Sequence, residues 1–356
     1  MKPAFLFPGQ GSQTVGMGRA LYDQYPAARA TFDEADAALE FPLSKIIFEG
    51  PEDQLRLTEH TQPAILTVSI AVLRVLHPAL TERGITPAFA AGHSLGEYSA
   101  HVAAGTFSFA DAVRTVRARG RYMQEAVPAG AGAMAAILGL DADKINDLCA
   151  QASDELTKAP TQPTATIPPS NSDEPRAIAA AAIVSPANLN SPDQTVISGA
   201  MAAVERAAAL CKEAGAKRTV MLPVSAPFHC DLMQPAQDRL AIDLESIVFN
   251  DPQFPVAANV DARLLTRGPE VRDALIRQVT GPVRWVECMQ LLIAQGATHF
   301  IEIGPGKVLC GLLRQIDRAQ ITMNVEDPAS LEKTLASLTQ PRRLSRVPHV
   351  SLLRRG

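Results

Sequence analysis

The stretch GHSLGEYSA, residues 92–100, constrains this chain more than any other. A serine stands between two glycines, Gly92 and Gly96. The apolar run PAFAAGHS (87–94) leads into it as a buried strand, and residues 95–104 follow as a helix. A strand that turns this sharply into a helix leaves room only for small residues beside the turn, and it exposes the central side chain. Ser94 is therefore the candidate nucleophile; the competing reading is a capping serine at a glycine-lined turn. The backbone N–H of Leu95, at the start of the helix, is placed to donate to an oxyanion, where the helix N-terminus also favours negative charge.

The rest of the pattern supplies a sheet for this turn. PAFLF (3–7) reads as a short buried strand ending in the turn PGQGSQ, and helical patterning runs to about residue 40. Residues 61–84 read as a long apolar helix, with Pro63 in its first turn and Gly84 at its end. A further helix covers 108–125. Strand and helix in alternation predict an α/β fold on a largely parallel sheet. From about residue 128 the order becomes strand 132–140, helix 141–152, strands 181–188 and 193–198, helix 200–214 and strand 217–222. That β-α-β-β-α-β order is ferredoxin-like. Alternation then resumes with helix 231–247, strand 256–260, helices 269–279 and 284–295, strand 298–303, and a last clear helix opened by GPGKVLCGLL (304–313).

The expected layout is a large domain in two parts, 1–127 and 229–335, around a small inserted domain, 128–228. A Pro-rich segment at about 153–180 reads as a flexible surface loop, since its core, KAPTQPTATIPPSNSDEPR (158–176), offers nothing to bury. Residues 336–356 read as a disordered basic tail. The net charge of −4 is too mild to imply a nucleic-acid partner. Five cysteines without a CxxC pair suit free thiols in a reducing cytoplasm. The apolar run before Pro8 is too short for a signal peptide, and no run reaches the ~18–20 apolar residues of a membrane span.

A nucleophilic serine also needs a second oxyanion donor and a base. FPGQGSQ (7–13) leaves the end of the first strand, and parallel strands bring such ends to one edge. The Gln10 backbone N–H can then face Ser94, with a plain glycine-rich turn as the equal alternative. Of seven histidines, His93 adjoins the serine and should point elsewhere. His229, in PVSAPFHCDLM, lies after a strand and near the domain junction, which makes it the best placed base. No aspartate between 94 and 229 sits in a conspicuous strand-end loop, so a dyad is a live alternative to a triad. On a helical wheel at ~100° per residue, Arg119 flanks the apolar stripe of 109–127, where a charge needs a partner. The wheel alone favours a structural ion pair there.

FPGQGSQTVGMG, TQPAI, GHSLGEYSA, RGRYMQEAVPAGAGAMAAILG, NLNSPDQTVISG, PVSAPFHCDLM, GPVRW and IEIGPGKVL occur in this order. Together they resemble the malonyl-CoA:acyl carrier protein transacylases of fatty acid synthesis, over about residues 4–315. The resemblance implies a large α/β-hydrolase-like domain with a ferredoxin-like insertion. It implies Ser94 as nucleophile, His229 as base, Gln10 and Leu95 as oxyanion amides, and Arg119 as the group that binds the substrate carboxylate. It places Gln278 where a backbone carbonyl orients the histidine, Gln62 among residues lining the site, and Asn190 near the inter-domain cleft.

The implied reaction is ping-pong transfer of a malonyl group from malonyl-CoA to the phosphopantetheine thiol of acyl carrier protein, by a monomer, with no metal and no bound cofactor. An acyltransferase of polyketide assembly and a serine thioesterase are the alternatives. A thioesterase would need a carboxylate on His229 and no buried arginine.

Overall fold

The computed structural model describes residues 1–158, 180–224 and 226–339. Six strands form the larger sheet: β1 (Pro3–Phe7), β2 (Phe89–Gly92), β7 (Val256–Ala257), β8 (Leu264–Leu265), β9 (His299–Ile303) and β10 (Ile321–Val325), in the order β10-β9-β1-β2-β7-β8. All neighbours are parallel except β8, which runs antiparallel to β7. Every residue of β1 and β2 is buried, as expected for a sheet covered on both faces. In register, Phe7 lies beside Gly92. The loops after β1 and β2 therefore leave the same sheet edge side by side.

Helices α1 (Arg19–Gln24), α2 (Pro26–Leu39), α3 (Leu43–Glu49) and α4 (Glu52–Arg56) lead to α5 (Thr58–Thr81). Among the described residues α5 is the one helix long and apolar enough to cross a membrane, which the sequence reading of apolar runs did not anticipate. Seventeen of its residues are nevertheless buried, and Phe32, Val68, Leu76 and Val116 share the main core. It starts three residues before the expected start, because the amides of His60 and Thr61 close on Leu57 O. Pro63 thus stands inside the helix. Helices α6 (Gly96–Ala103) and α7 (Phe109–Glu125) follow the serine turn.

The smaller sheet holds β3 (Gly132–Leu138), β4 (Val184–Ser191), β5 (Gln194–Ala200) and β6 (Arg218–Met221), antiparallel in the order β4-β5-β3-β6. Helices α8 (Ala142–Lys158) and Met201–Glu213 lie between its strands in the chain, giving the ferredoxin-like arrangement. Ile137, Ile145, Leu148, Val204 and Ala207 make a core of their own. The small sheet is tied to the segment just before the helix Trp285–Ala294, where Leu189 donates to Val283 O at 2.9 Å and Val283 to Ala187 O at 2.8 Å.

Three expectations need correction. Residues 153–158, assigned to the Pro-rich loop, are helical, since Ala152 and Leu156 continue the apolar stripe of α8. Of the rest, 159–179 lie outside the described residues and residue 180 is helical. The last clear helix is followed by strand β10 and the helix Pro328–Thr339, which takes in 336–339 of the presumed tail. Four of the five β10 residues are half-buried, so an edge strand without a clean apolar run escaped notice. Leu331 and Leu338 anchor the added helix on the main core.

Candidate active site

Ser94 stands at the end of β2 with φ 50°, a left-handed conformation that costs a non-glycine residue roughly 1–2 kcal/mol. The glycines beside it are required by contact. A Cβ on Gly92 would lie 1.9 Å from the Gly96 backbone, and one on Gly96 would lie 2.1 Å from Phe7 O. The loop after β1 comes equally close, since a Cβ on Gly9 would meet His93 O at 2.4 Å. Gln10 and Leu95 consequently line one cavity with Ser94.

His229 enters from the segment before the short helical turn Asp231–Met233, also left-handed at φ 62°. Its Nε2 is 2.7 Å from Ser94 Oγ. Its Nδ1 faces two backbone carbonyls, Gln278 O at 2.9 Å and Gly281 O at 3.1 Å. Carbonyls can only accept, so the proton belongs on Nδ1 and Nε2 is left as the acceptor for the serine hydroxyl. Burial, reinforced by the positive charge of Arg119, pushes the ring down to about 3. The imidazole is therefore neutral at any ordinary pH before substrate arrives.

Arg119, on α7, is 1% exposed. Its Nη1 donates to Gln62 Oε1 at 2.8 Å, and its Nη2 to Gln278 Oε1 at 3.0 Å and Ser94 Oγ at 3.2 Å. The guanidinium also lies 5.6 Å from the centre of the Tyr98 ring. Among the described residues it makes no ion pair, contrary to what the helical wheel alone favours. Its hydrogen-bond partners are neutral, and the one carboxyl among the described residues that feels its charge, Glu97, lies behind Gln278 on the side away from the cavity, without touching the guanidinium. The cavity has a volume of about 660 Å³, with Met134, Leu222 and Phe228 as apolar lining.

The structure thus brings Ser94, His229, Arg119, Gln62 and Gln278 into one hydrogen-bonded group, with Gln10 and Leu95 at the same cavity. Asn190 stands apart from Ser94. From β4 of the small sheet its Oδ1 meets His93 Nε2 at 2.8 Å, across the junction of the two sheets. His93, set aside in the sequence, does line the cavity, but Asn190 occupies its ring nitrogen. Burial lowers its affinity for a proton. Two residues that sequence reasoning missed, Glu97 and Asn259, are fully buried behind the serine. Among the described residues no group of three or more His, Cys, Asp or Glu could hold a metal. All five cysteines are free and buried.

A parallel sheet with a serine at a strand-to-helix elbow, a neutral histidine on its hydroxyl and a ferredoxin-like insertion define an enzyme of the acyltransferase class. The acyl transferase domain family model matches residues 4–159. Over 339 residues the chain is 49% identical to the malonyl CoA-acyl carrier protein transacylase of Bacillus subtilis, covering 95% of this chain and 98% of that one. The corresponding transacylase structure from Coxiella burnetii superposes with a TM-score of 0.85 at 41% identity, covering 96% of this chain and 98% of that one. A malonyl-transacylase solved in complex with a type II PKS acyl-carrier protein gives 0.84 at 43% identity, covering 95% of this chain and all of that one. This chain belongs to the malonyl CoA-acyl carrier protein transacylase family.

Proposed function

We propose that this enzyme moves a malonyl group from malonyl-CoA to the phosphopantetheine thiol of acyl carrier protein, supplying fatty acid synthesis, by way of a malonyl ester on Ser94. His229 Nε2 takes the hydroxyl proton as Ser94 Oγ bonds to the thioester carbon. The oxyanion is held by the backbone N–H groups of Gln10 and Leu95. The C–S bond then breaks, and the proton on His229 goes to the departing sulfur of coenzyme A. The carrier thiol enters the same way: it gives its proton to His229, attacks the ester carbon, and Ser94 recovers its proton as the C–O bond breaks. Arg119 grips the free malonyl carboxylate, Gln62 holds the guanidinium in place, and Asn190 braces His93 across the cleft.

The observation that supports this reading is the placement of Arg119, in contact with the nucleophile and with neutral partners alone. A serine thioesterase is disfavoured by the same site, where His229 Nδ1 meets carbonyls in place of a carboxylate. Incubation with malonyl-CoA followed by intact mass and peptide mapping tests the proposal. A malonyl adduct on the peptide holding Ser94, absent from Ser94→Ala, is expected. An adduct that survives in Ser94→Ala, on Cys230 for instance, would refute it. That outcome is not expected, because burial pushes the Cys230 thiol up to about 11.

A further inference from the structure

Behind the serine turn, three segments meet at one buried carboxylate. Glu97 sits in the first turn of α6, Asn259 just beyond β7, and Gln278 at the end of the helix Gly268–Arg277. All three are 0% exposed. The Asn259 backbone N–H donates to Glu97 Oε2 at 3.0 Å, and Gln278 Nε2 donates to the same oxygen at 2.7 Å.

Each donor has a second attachment at the reaction centre. Asn259 Oδ1 accepts from the Ser94 N–H at 2.7 Å, while its Nδ2 donates to Gly92 O at 2.8 Å. One amide thus holds the chain on both sides of the turn. Gln278 Nε2 also donates to Ser94 O at 3.0 Å, which leaves its Oε1 to accept from Arg119 Nη2 at 3.0 Å. The opposite flip of Gln278 would set its oxygen against a carboxylate and a carbonyl, and its NH₂ against a guanidinium. Only one orientation satisfies the set.

We propose that Glu97 is a positioning residue for the transfer reaction: its Oε2 anchors the Asn259 backbone and the Gln278 side chain, and so fixes the two residues whose side-chain amides hold the Ser94 backbone and the Arg119 guanidinium. This rests on the roles given above to Ser94 and Arg119. A left-handed serine persists only where its surroundings over-determine it, and these bonds do so. What matters is an acceptor at the Oε2 position, not the charge. Both donors converge on Oε2, and Oε1 has no hydrogen-bond partner among the described residues, lying 4.0 Å from His101 Nε2. Burial pushes the carboxyl up to about 7, and a proton taken up on Oε1 leaves the Oε2 bonds intact.

Two substitutions separate position from charge. In Glu97→Gln the amide oxygen can take the place of Oε2, because the reverse flip would face an NH₂ with two donors. In Glu97→Asp the charge stays, but the carboxylate withdraws by about 1.5 Å, one C–C bond, from both donors. Rates of Ser94 acylation from malonyl-CoA and from acetyl-CoA are measured on variants shown by circular dichroism to be folded. Glu97→Asp is expected to narrow the malonyl-over-acetyl preference by on the order of tenfold, the scale of one lost hydrogen bond to a charged group. Glu97→Gln is expected to stay within about threefold of wild type, less than 1 kcal/mol at ~1.36 per decade.

Wild-type preference in Glu97→Asp, equal losses in both variants, or equal falls in malonyl and acetyl rates would each overturn the proposal. Should wild type fail to malonylate at Ser94, or Arg119→Ala keep its preference, the reading of the site itself falls, and this inference with it.

Discussion

Replacing Arg119 by alanine tests the selectivity of the site most directly. The guanidinium is 1% exposed and makes bonds of 2.8, 3.0 and 3.2 Å, the first two to the side-chain oxygens of Gln62 and Gln278. At such burial, water and salt screen a bound carboxylate poorly. Truncating one partner of a buried, hydrogen-bonded charge pair costs about 2–5 kcal/mol. The upper part of that range does not apply, since the vacated space opens on the cavity and water can hydrate the stranded carboxylate. A loss of about 3–4 kcal/mol corresponds to roughly 10²–10³-fold in malonyl transfer at ~1.36 kcal/mol per decade. An acetyl group brings no charge, so acetyl transfer should stay within about threefold, under 1 kcal/mol on the same scale. Arg119→Lys keeps the charge but loses the two-pronged grip and should fall between. Quenched-flow acylation from the two thioesters, read by intact mass, gives both rates. If Arg119→Ala lowers them by the same factor while the thermal melt is unchanged, the residue does not read the carboxylate and the reasoning is wrong.

Gly92→Ala should fail to fold or lose about 4 kcal/mol or more, because its Cβ would lie 1.9 Å from backbone atoms of Gly96; a soluble variant with the parent melting temperature would contradict the close approach at the turn. Buried His101, like His229, is pushed down to about 3 from an unfolded value of 6.5. Between those limits the unfolded chain binds protons that the native chain refuses, so each histidine lowers stability as pH falls, by about 1.4 kcal/mol per unit. Glu97, raised to about 7, acts with the opposite sign between there and 4.5. The difference between His101→Gln and wild type in urea unfolding, measured from pH 5.5 to 4.5, isolates the His101 contribution; parallel curves would show that it stays neutral in both states or charged in both.

Local pattern determined a good part of this protein. Gly92, Ser94 and Gly96 between an apolar run and a helix are legible locally, since the crowding that excludes a Cβ at Gly92 comes from Gly96 and Glu97, whereas at Gly96 it comes from Phe7 and Pro8 across the sheet. The ferredoxin-like order was likewise legible in the succession of short apolar runs and helical stretches between 132 and 222. The helical wheel put Arg119 at the edge of an apolar stripe and no further. Its partners, Gln62 and Gln278, lie 57 and 159 residues away, and only the tertiary fold, which packs α5 on α7 and brings the residue after the helix Gly268–Arg277 to the guanidinium, decides that they are amides and not a carboxylate. Elements at the sheet edge were the least legible: in β10 the residues alternate with solvent too weakly to mark a strand, and pairing with β9 makes it one. The carbonyls on His229 and the meeting of Glu97, Asn259 and Gln278 have no sequence signature at all. A backbone carbonyl is the same at every residue, and a buried carboxylate is told from a solvated one only by the tertiary fold that closes over it.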